Sequence, residues 1–210
     1  MHVESAPDAA QLRNHWWLRP GWTPDTRMLA WHLTFEGQAD LHRLAKDAQR
    51  AVGGIDALEP VPPEWLHLSL ATFGATTDVT EDCVRQAINA AHQHIADLEP
   101  LELSFSRTVV LAESVVLCPA DSSGLRGLRS AVQASVWQVR GAGAPADLDS
   151  AEPHVAVAYA RGPAFGAAVA RALESAALPD VTPVHPTLTL TQMHRDGRLY
   201  RWRPVSAFPL

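Results

Sequence analysis

From Leu66 to Leu70 the sequence alternates strictly between apolar and polar side chains, inside a stretch running from Glu64 to Gly74. A period of two belongs to a β-strand, so Leu66, Leu68 and Leu70 share one face, and His67 and Ser69 share the other. The leucine face has to be buried against a core. The opposite face then holds an imidazole and a hydroxyl two residues apart on a rigid support. Such a pair suits a phosphate, because the hydroxyl donates a hydrogen bond and the imidazole moves a proton near neutral pH. A half-buried strand shows the same face to water, and the stretch alone leaves both readings open.

The rest of the chain supplies elements to pack against this strand. Arg27 to Phe35 reads as an earlier strand. Ala39 to Val52 reads as a helix, with Leu41, Leu44, Ala45, Ala48 and Val52 at helical spacing and Gly53-Gly54 as its stop. Thr77 to Leu98 is the clearest helix, capped by Thr80, with Glu81 and Asp82 in its first turn. Strands are expected at 101–110 and 114–118, and a helix from Asp121 or Ser122 to Val139. A loop at 141–147 and a strand from Pro153 to Tyr159 follow. Pro163 to Ala177 reads as a helix with proline in its first turn. Strands at 181–191 and 199–208 form a closing hairpin turned at Asp196-Gly197. Residues 1–26 lack periodicity and read as an irregular lead carrying His15, Trp16, Trp17 and Trp22. Residues 27–210 read as one domain. The order predicts an α+β fold of two pseudo-symmetric lobes, with antiparallel sheets around a central cleft. The halves ending near Val116 and starting near Gly124 suggest a duplication.

Composition narrows the function classes. The chain has 210 residues, 47% of them hydrophobic, with a net charge of −6, which suits a soluble globular domain. An acidic balance supplies no global field for gathering nucleic acid, so RNA would have to be met by a local patch or gripped at one end. Lys46 is the single lysine. Cys83 and Cys118 give no disulfide framework and no Cys-x-x-Cys motif. No apolar run approaches a membrane span, and no signal peptide is evident, so a cytoplasmic monomer without membrane contact is expected.

A histidine followed two residues later by Ser or Thr occurs at His32-Thr34, His67-Ser69 and His185-Thr187. The run from His67 to Gly74 resembles the first motif of the 2H phosphoesterase superfamily, and within it the bacterial 2′-5′ RNA ligases, or RNA 2′,3′-cyclic phosphodiesterases (the LigT-like family). Its spacing around Phe73-Gly74 differs from the motif. A second motif, in the other lobe, matches Pro153 to Tyr159, with His154 placed 87 residues after His67. Thr187 to Leu190 and Leu199 to Leu210 are similar to the family's closing hairpin. The resemblance covers about residues 27 to 210. It implies an enzyme that opens a 2′,3′-cyclic phosphate at RNA ends or in small nucleotides, with His67 and His154 as acid and base and Ser69 as a phosphate donor. It implies no metal and no cofactor. Reverse 2′-5′ ligation is a further implied activity.

Two departures stand out. Ala156 sits where the second motif expects Thr or Ser, and Tyr159 sits where arginine is frequent. One hydrogen bond to a charged group is worth ~1.5–3 kcal/mol, or about 10- to 150-fold in rate if it acts only in the transition state. The loss therefore fits a weakened enzyme. It also fits a nucleotide- or RNA-binding module with the same cleft and degraded catalysis. Tyr159, Arg161, His32 and Thr187 are further candidate substrate contacts, Thr187 as a hydroxyl that offsets Ala156. For each there is a structural reading too: His32 as a packed strand residue, and the Thr187 face as solvent-exposed. Arg201 and Arg203 share one face of the last strand, opposite Tyr200 and Trp202, and read either as an RNA contact or as a solvated edge.

Overall fold

A computed structural model describes residues 1–120, 123–144 and 152–210. Among them are twelve strands: β1 (His2–Ser5), β2 (Gln11–Leu12), β3 (Met28–Thr34), β4 (Leu58–Pro60), β5 (His67–Ala75), β6 (Leu103–Val110), β7 (Ser114–Pro119), β8 (Val155–Ala160), β9 (Ala164–Phe165), β10 (Val181–Val184), β11 (Thr187–Asp196) and β12 (Leu199–Pro209). The helices are α1 (Ala39–Ala51), α2 (Glu81–Ile95), α3 (Ser123–Arg140) and α4 (Gly166–Ser175).

Ten strands form one sheet in the order β1-β6-β7-β8-β5-β3-β11-β12, with β10 added on β6 and β4 on β8. Only the β1–β6 pair is parallel. The two expected antiparallel halves are therefore continuous, and they join at the narrowest of seams. β5 and β8 share a single bridge, Leu68 to Val155. On one side of it lie β5, β3, β11 and β12; on the other lie β8, β4, β7, β6, β1 and β10. The lobes are not successive halves of the chain, as a division near residues 116–124 would make them. β3 and β11 are 153 residues apart at Thr34 and Thr187, yet directly paired.

The apolar face of the sheet carries the core. Leu33, Leu66, Leu68, Leu103, Leu117, Val155, Leu188 and Leu190 are buried there with Trp31, Phe73 and Phe105. Removing each such side chain from water stabilises the fold by about 1.5–3 kcal/mol. The helices cover this face with the apolar stripes their sequences show. α1 buries Leu41, Leu44, Ala45 and Ala48; α2 buries Ala87, Ala90 and Ala91. The Thr80 hydroxyl caps α2 by accepting from the Cys83 amide at 3.2 Å.

Several expectations need correction. Residues 1–26 are not wholly irregular, because β1 extends the sheet and β2 pairs with β9. That second pairing takes Ala164 and Phe165 out of the helix expected from Pro163, so α4 starts at Gly166. The strand expected over 181–191 breaks at His185-Pro186, handing the chain from β6 in one lobe to β3 in the other. The final turn is Gly197-Arg198, both at positive φ (57° and 59°), between the paired residues Asp196 and Leu199. A two-residue primed turn of this kind matches the strand twist. The helix start expected at 121–122, and part of the loop expected at 141–147, lie outside the described residues.

Candidate active site

The seam fixes what stands where. Residues opposite one another in an antiparallel pair share a face. With Leu68 opposite Val155, continuing the register sets His67 beside Ala156 and Ser69 beside His154. His67 and His154 thus occupy one diagonal of a four-residue square on the polar face, with Ser69 and Ala156 on the other. Diagonal neighbours are about 7–8 Å apart, a separation that leaves room for one small group between two imidazoles.

The two histidines are held alike. His67 Nδ1 lies 2.9 Å from the Trp65 carbonyl oxygen, and His154 Nδ1 lies 2.8 Å from that of Glu152. A carbonyl only accepts, so each Nδ1 carries its proton and donates, which leaves each Nε2 free to take or give one. Arg107 bonds to Glu152 and to Glu4 and so pins the lead-in to His154. The His67 imidazole is half-buried and its pKa is lowered from 6.5 to about 4. Loss of hydration is the chief cause; the bond to Trp65 opposes it, and the neighbouring charge of His154 adds to it. At neutral pH this ring is an uncharged proton acceptor.

Packing around His67 explains the lost hydration. His32, opposite Ser69 in the β3–β5 ladder, stacks on His67 with ring centroids 4.7 Å apart. It is itself buried and held well below its ordinary pKa by desolvation and by His67. Thr191 Oγ1 donates to the Ala30 carbonyl at 3.1 Å and approaches His32 Nδ1 at 3.4 Å. Trp202 of β12 meets the His67 ring at 5.0 Å and 74°, and the Trp65 ring at 4.9 Å and 83°.

The polar face is concave. β8 and β12 are four strand spacings apart, roughly 19 Å in a flat sheet. Yet Tyr159 of β8 and Tyr200 of β12 have ring centroids only 5.6 Å apart. The sheet therefore curls, and the N-terminal segment fills the fold at that end. His15 stacks on Tyr159 at 4.3 Å, and its Nε2 pairs with the Tyr200 hydroxyl at 3.0 Å. Trp16 touches both tyrosines, and the Arg195 guanidinium lies over Trp16 and Tyr200. The Glu113 carboxylate anchors this segment by accepting from Arg13, Trp17 and Arg19.

The structure thus brings His67, His154, Ser69 and His32 to one place. Ser69 is exposed and is the hydroxyl nearest His154 by register. Thr187 lies two strands from His67, in the same row, beyond Thr34. Its neighbours Thr189 and Thr191 are buried rather than solvent-facing, with Thr189 bonded to Thr34 at 2.9 Å. Tyr159 does reach the polar face, because Val157 is a bulge between the pairs Val116–Ala156 and Val115–Ala158. However, its ring is packed under His15, and burial raises its pKa. Arg161 is not part of the site. It follows the far end of β8, about 23 Å along the strand from His154, and its Nε donates to the Asp56 carbonyl. Arg201 and Arg203 point to solvent while Tyr200 and Trp202 face inward. Trp65 and Trp202 are the site residues that sequence reasoning missed. The alternation of the last strand had set Trp202 on the face opposite the arginines, but not toward His67. Among the described residues, no three His, Cys, Asp or Glu side chains converge to hold a metal ion.

The fold is shared with solved structures. A protein of Thermus thermophilus, TT0787, superposes with a TM-score of 0.64 at 19% identity, over 87% of this chain and 97% of its own. Escherichia coli LigT complexed with 3′-AMP gives 0.61 at 15% identity, over 89% and 99%. ATU0111 of Agrobacterium tumefaciens, a protein of unknown function, gives 0.52 at 13%, over 88% and 87%. A comparison of the sequence with curated proteins finds no significant match. The model of the 2′-5′ RNA ligase superfamily matches residues 32–198, most of the chain. The chain belongs to the 2′-5′ RNA ligase superfamily.

Proposed function

We propose that this protein is a phosphodiesterase that opens 2′,3′-cyclic phosphate at RNA ends or in small nucleotides, by two-histidine acid/base catalysis. The observation that supports the reading is the Leu68–Val155 bridge, with His67 and His154 each preceding its bridged residue and each Nδ1 donating to a carbonyl, so that each Nε2 is the nitrogen left for proton transfer. His67, kept neutral by its surroundings, takes a proton from water through Nε2 as the water oxygen attacks phosphorus. The bond from phosphorus to one ribose oxygen breaks on the opposite side, and protonated His154 gives that oxygen a proton. The product is a phosphomonoester with one free ribose hydroxyl. The Ser69 hydroxyl donates to a non-bridging oxygen and stabilises the charge that develops there. Ligation would use the same groups, with a 5′-hydroxyl attacking phosphorus in place of water while the bond to the 3′-oxygen breaks and the 2′ linkage is kept, but the high concentration of water favours hydrolysis. LigT, whose structures hold 3′-AMP, ATP and NADP+, supports nucleotides as the ligand class.

Ala156 favours a second reading, a nucleotide- or RNA-binding module in the same cleft. Beside His67 it supplies a methyl where a hydroxyl would meet the phosphate. Incubation with 2′,3′-cyclic AMP in EDTA separates the two. The phosphodiesterase releases a monophosphate, whereas the binding module retains the cyclic nucleotide unchanged.

A further inference from the structure

A cavity of about 280 Å³ opens beside His67, bounded by Thr34, Glu36, His42, Glu64, Leu66 and Trp202. Two of its walls belong to the candidate active site. Thr34 stands directly opposite His67 in the β3–β5 ladder, and the Trp202 indole touches the His67 ring. The cavity therefore adjoins His67 on the β3 side, through Thr34 and Trp202. The volume is at the lower edge of small-molecule sites, which suits one flat ring system with part of its sugar rather than a longer chain.

The lining has a distinct chemistry. Trp202 offers an aromatic surface on which a base can stack, an interaction indifferent to base identity. Selection falls to the polar groups. Glu36 and Glu64 are exposed carboxylates that only accept hydrogen bonds. His42 Nε2 is buried, with no hydrogen-bond partner among the described residues, and a ligand's polar edge would satisfy it. Guanine offers adjacent N1–H and N2–H donors, which fit a carboxylate as a fork. Adenine and cytosine offer an amino group only. Uracil sets its one imide N–H between two carbonyl oxygens that repel a carboxylate.

We infer that this cavity is a base subsite selecting guanine at the nucleotide that carries the reacting phosphate. Trp202 stacks on the base, and Glu36 and Glu64 receive its N–H edge. The inference rests on the phosphodiesterase reading for the position of the phosphate, and binding measurements test it separately from turnover.

The test is calorimetric titration of the protein with guanosine, adenosine, cytidine and uridine 3′-monophosphates, repeated in Glu36→Gln and Glu64→Gln. Both substitutions are at exposed positions and preserve side-chain shape, so folding is maintained. Guanosine 3′-monophosphate is expected to bind about tenfold tighter than the uridine compound, within the range a two-point hydrogen-bond pair gives. The ratio should fall toward one in at least one variant. Equal affinity for all four, no binding of any, or a ratio unmoved in both variants would overturn the subsite. Hydrolysis of the four 2′,3′-cyclic nucleotides, followed in parallel, keeps the two failures apart. A guanine preference in binding without turnover removes the phosphodiesterase and leaves the subsite. Turnover without any base preference in binding removes the subsite alone.

Discussion

His67 and His154 each turn Nδ1 onto a carbonyl oxygen two residues upstream, at 2.9 and 2.8 Å, from strands that touch through one bridge. The same local device, used twice, fixes the same tautomer in both rings and aims both Nε2 atoms away from their own strands. What separates them is surroundings. His67 is enclosed by His32, Trp202 and Tyr200, while His154 sits at the open side of the seam. The enclosed His67 imidazole is thereby kept uncharged near neutral pH, as a general base requires.

This asymmetry predicts a titration. His67 should titrate at about 4 in the folded protein, because its imidazolium is poorly hydrated and repelled by charged His154. An NMR titration of the histidine ring protons measures it. In His154→Ala the repulsion is gone and the His67 midpoint should move upward. A midpoint near the ordinary 6.5 in the wild type would contradict the enclosure described.

Acid stability follows from the same physics. His15, lowered to about 3, His67, lowered to about 4, and His32, held well below 6.5, all bind protons more weakly folded than unfolded. The unfolded chain therefore carries more protons as pH falls below 6.5, and stability drops through that window and stays level above it. Calorimetric Tm values from pH 8 to pH 4 should show a plateau and then a steepening fall. His32→Gln should make the fall shallower, whatever it does to the plateau. A Tm independent of pH between 6.5 and 4 would count against the burial of all three.

Ala156 should limit activity, not folding. It is 8% exposed and sits beside His67 on the polar face. Ala156→Thr suits a strand and restores a hydroxyl to the seam. Turnover of a cyclic nucleotide should rise by about tenfold, the low end for one charged hydrogen bond. A variant no faster than wild type would show that Ser69 alone suffices.

Gly166 ties the N-terminal segment to the domain. A Cβ there would run into the Ala9 carbonyl oxygen, and its own amide donates to the Ala10 carbonyl at 3.2 Å. Gly166→Ala must push residues 9–12 off the start of α4. Overpacking of this kind costs about 1–3 kcal/mol. Denaturant titration should show that loss, and limited proteolysis should cut earlier within residues 6–22. An unchanged midpoint would mean that the segment is held elsewhere, by Glu113.

The His67 strand was legible because it is half-buried, so its alternation is written in the residues. β8 shows no alternation, since Val155 to Ala160 are all buried, and His154 was reached through its spacing from His67 and the family resemblance. The helices were legible from their stripes and caps. The short strands β1, β2, β4 and β9 were not, because two to four residues carry no period. Trp202 could not be placed beside His67 from the sequence, since its approach depends on the long-range pairing of β3 with β11 and on the curl of the sheet. Arg161 was misplaced for the converse reason. It is near His154 in sequence, but an extended strand carries it away at about 3.3 Å per residue.

The most direct measurement of the central claim is hydrolysis of a 2′,3′-cyclic nucleotide in EDTA by the wild type, His67→Asn, His154→Asn and the double variant. If the two imidazoles act as one acid/base unit, each single variant should lose about 10²- to 10⁴-fold in kcat. The double variant should then be little slower than the worse single one, because groups acting together are not additive. Wild-type turnover with either single variant near full rate would contradict the account.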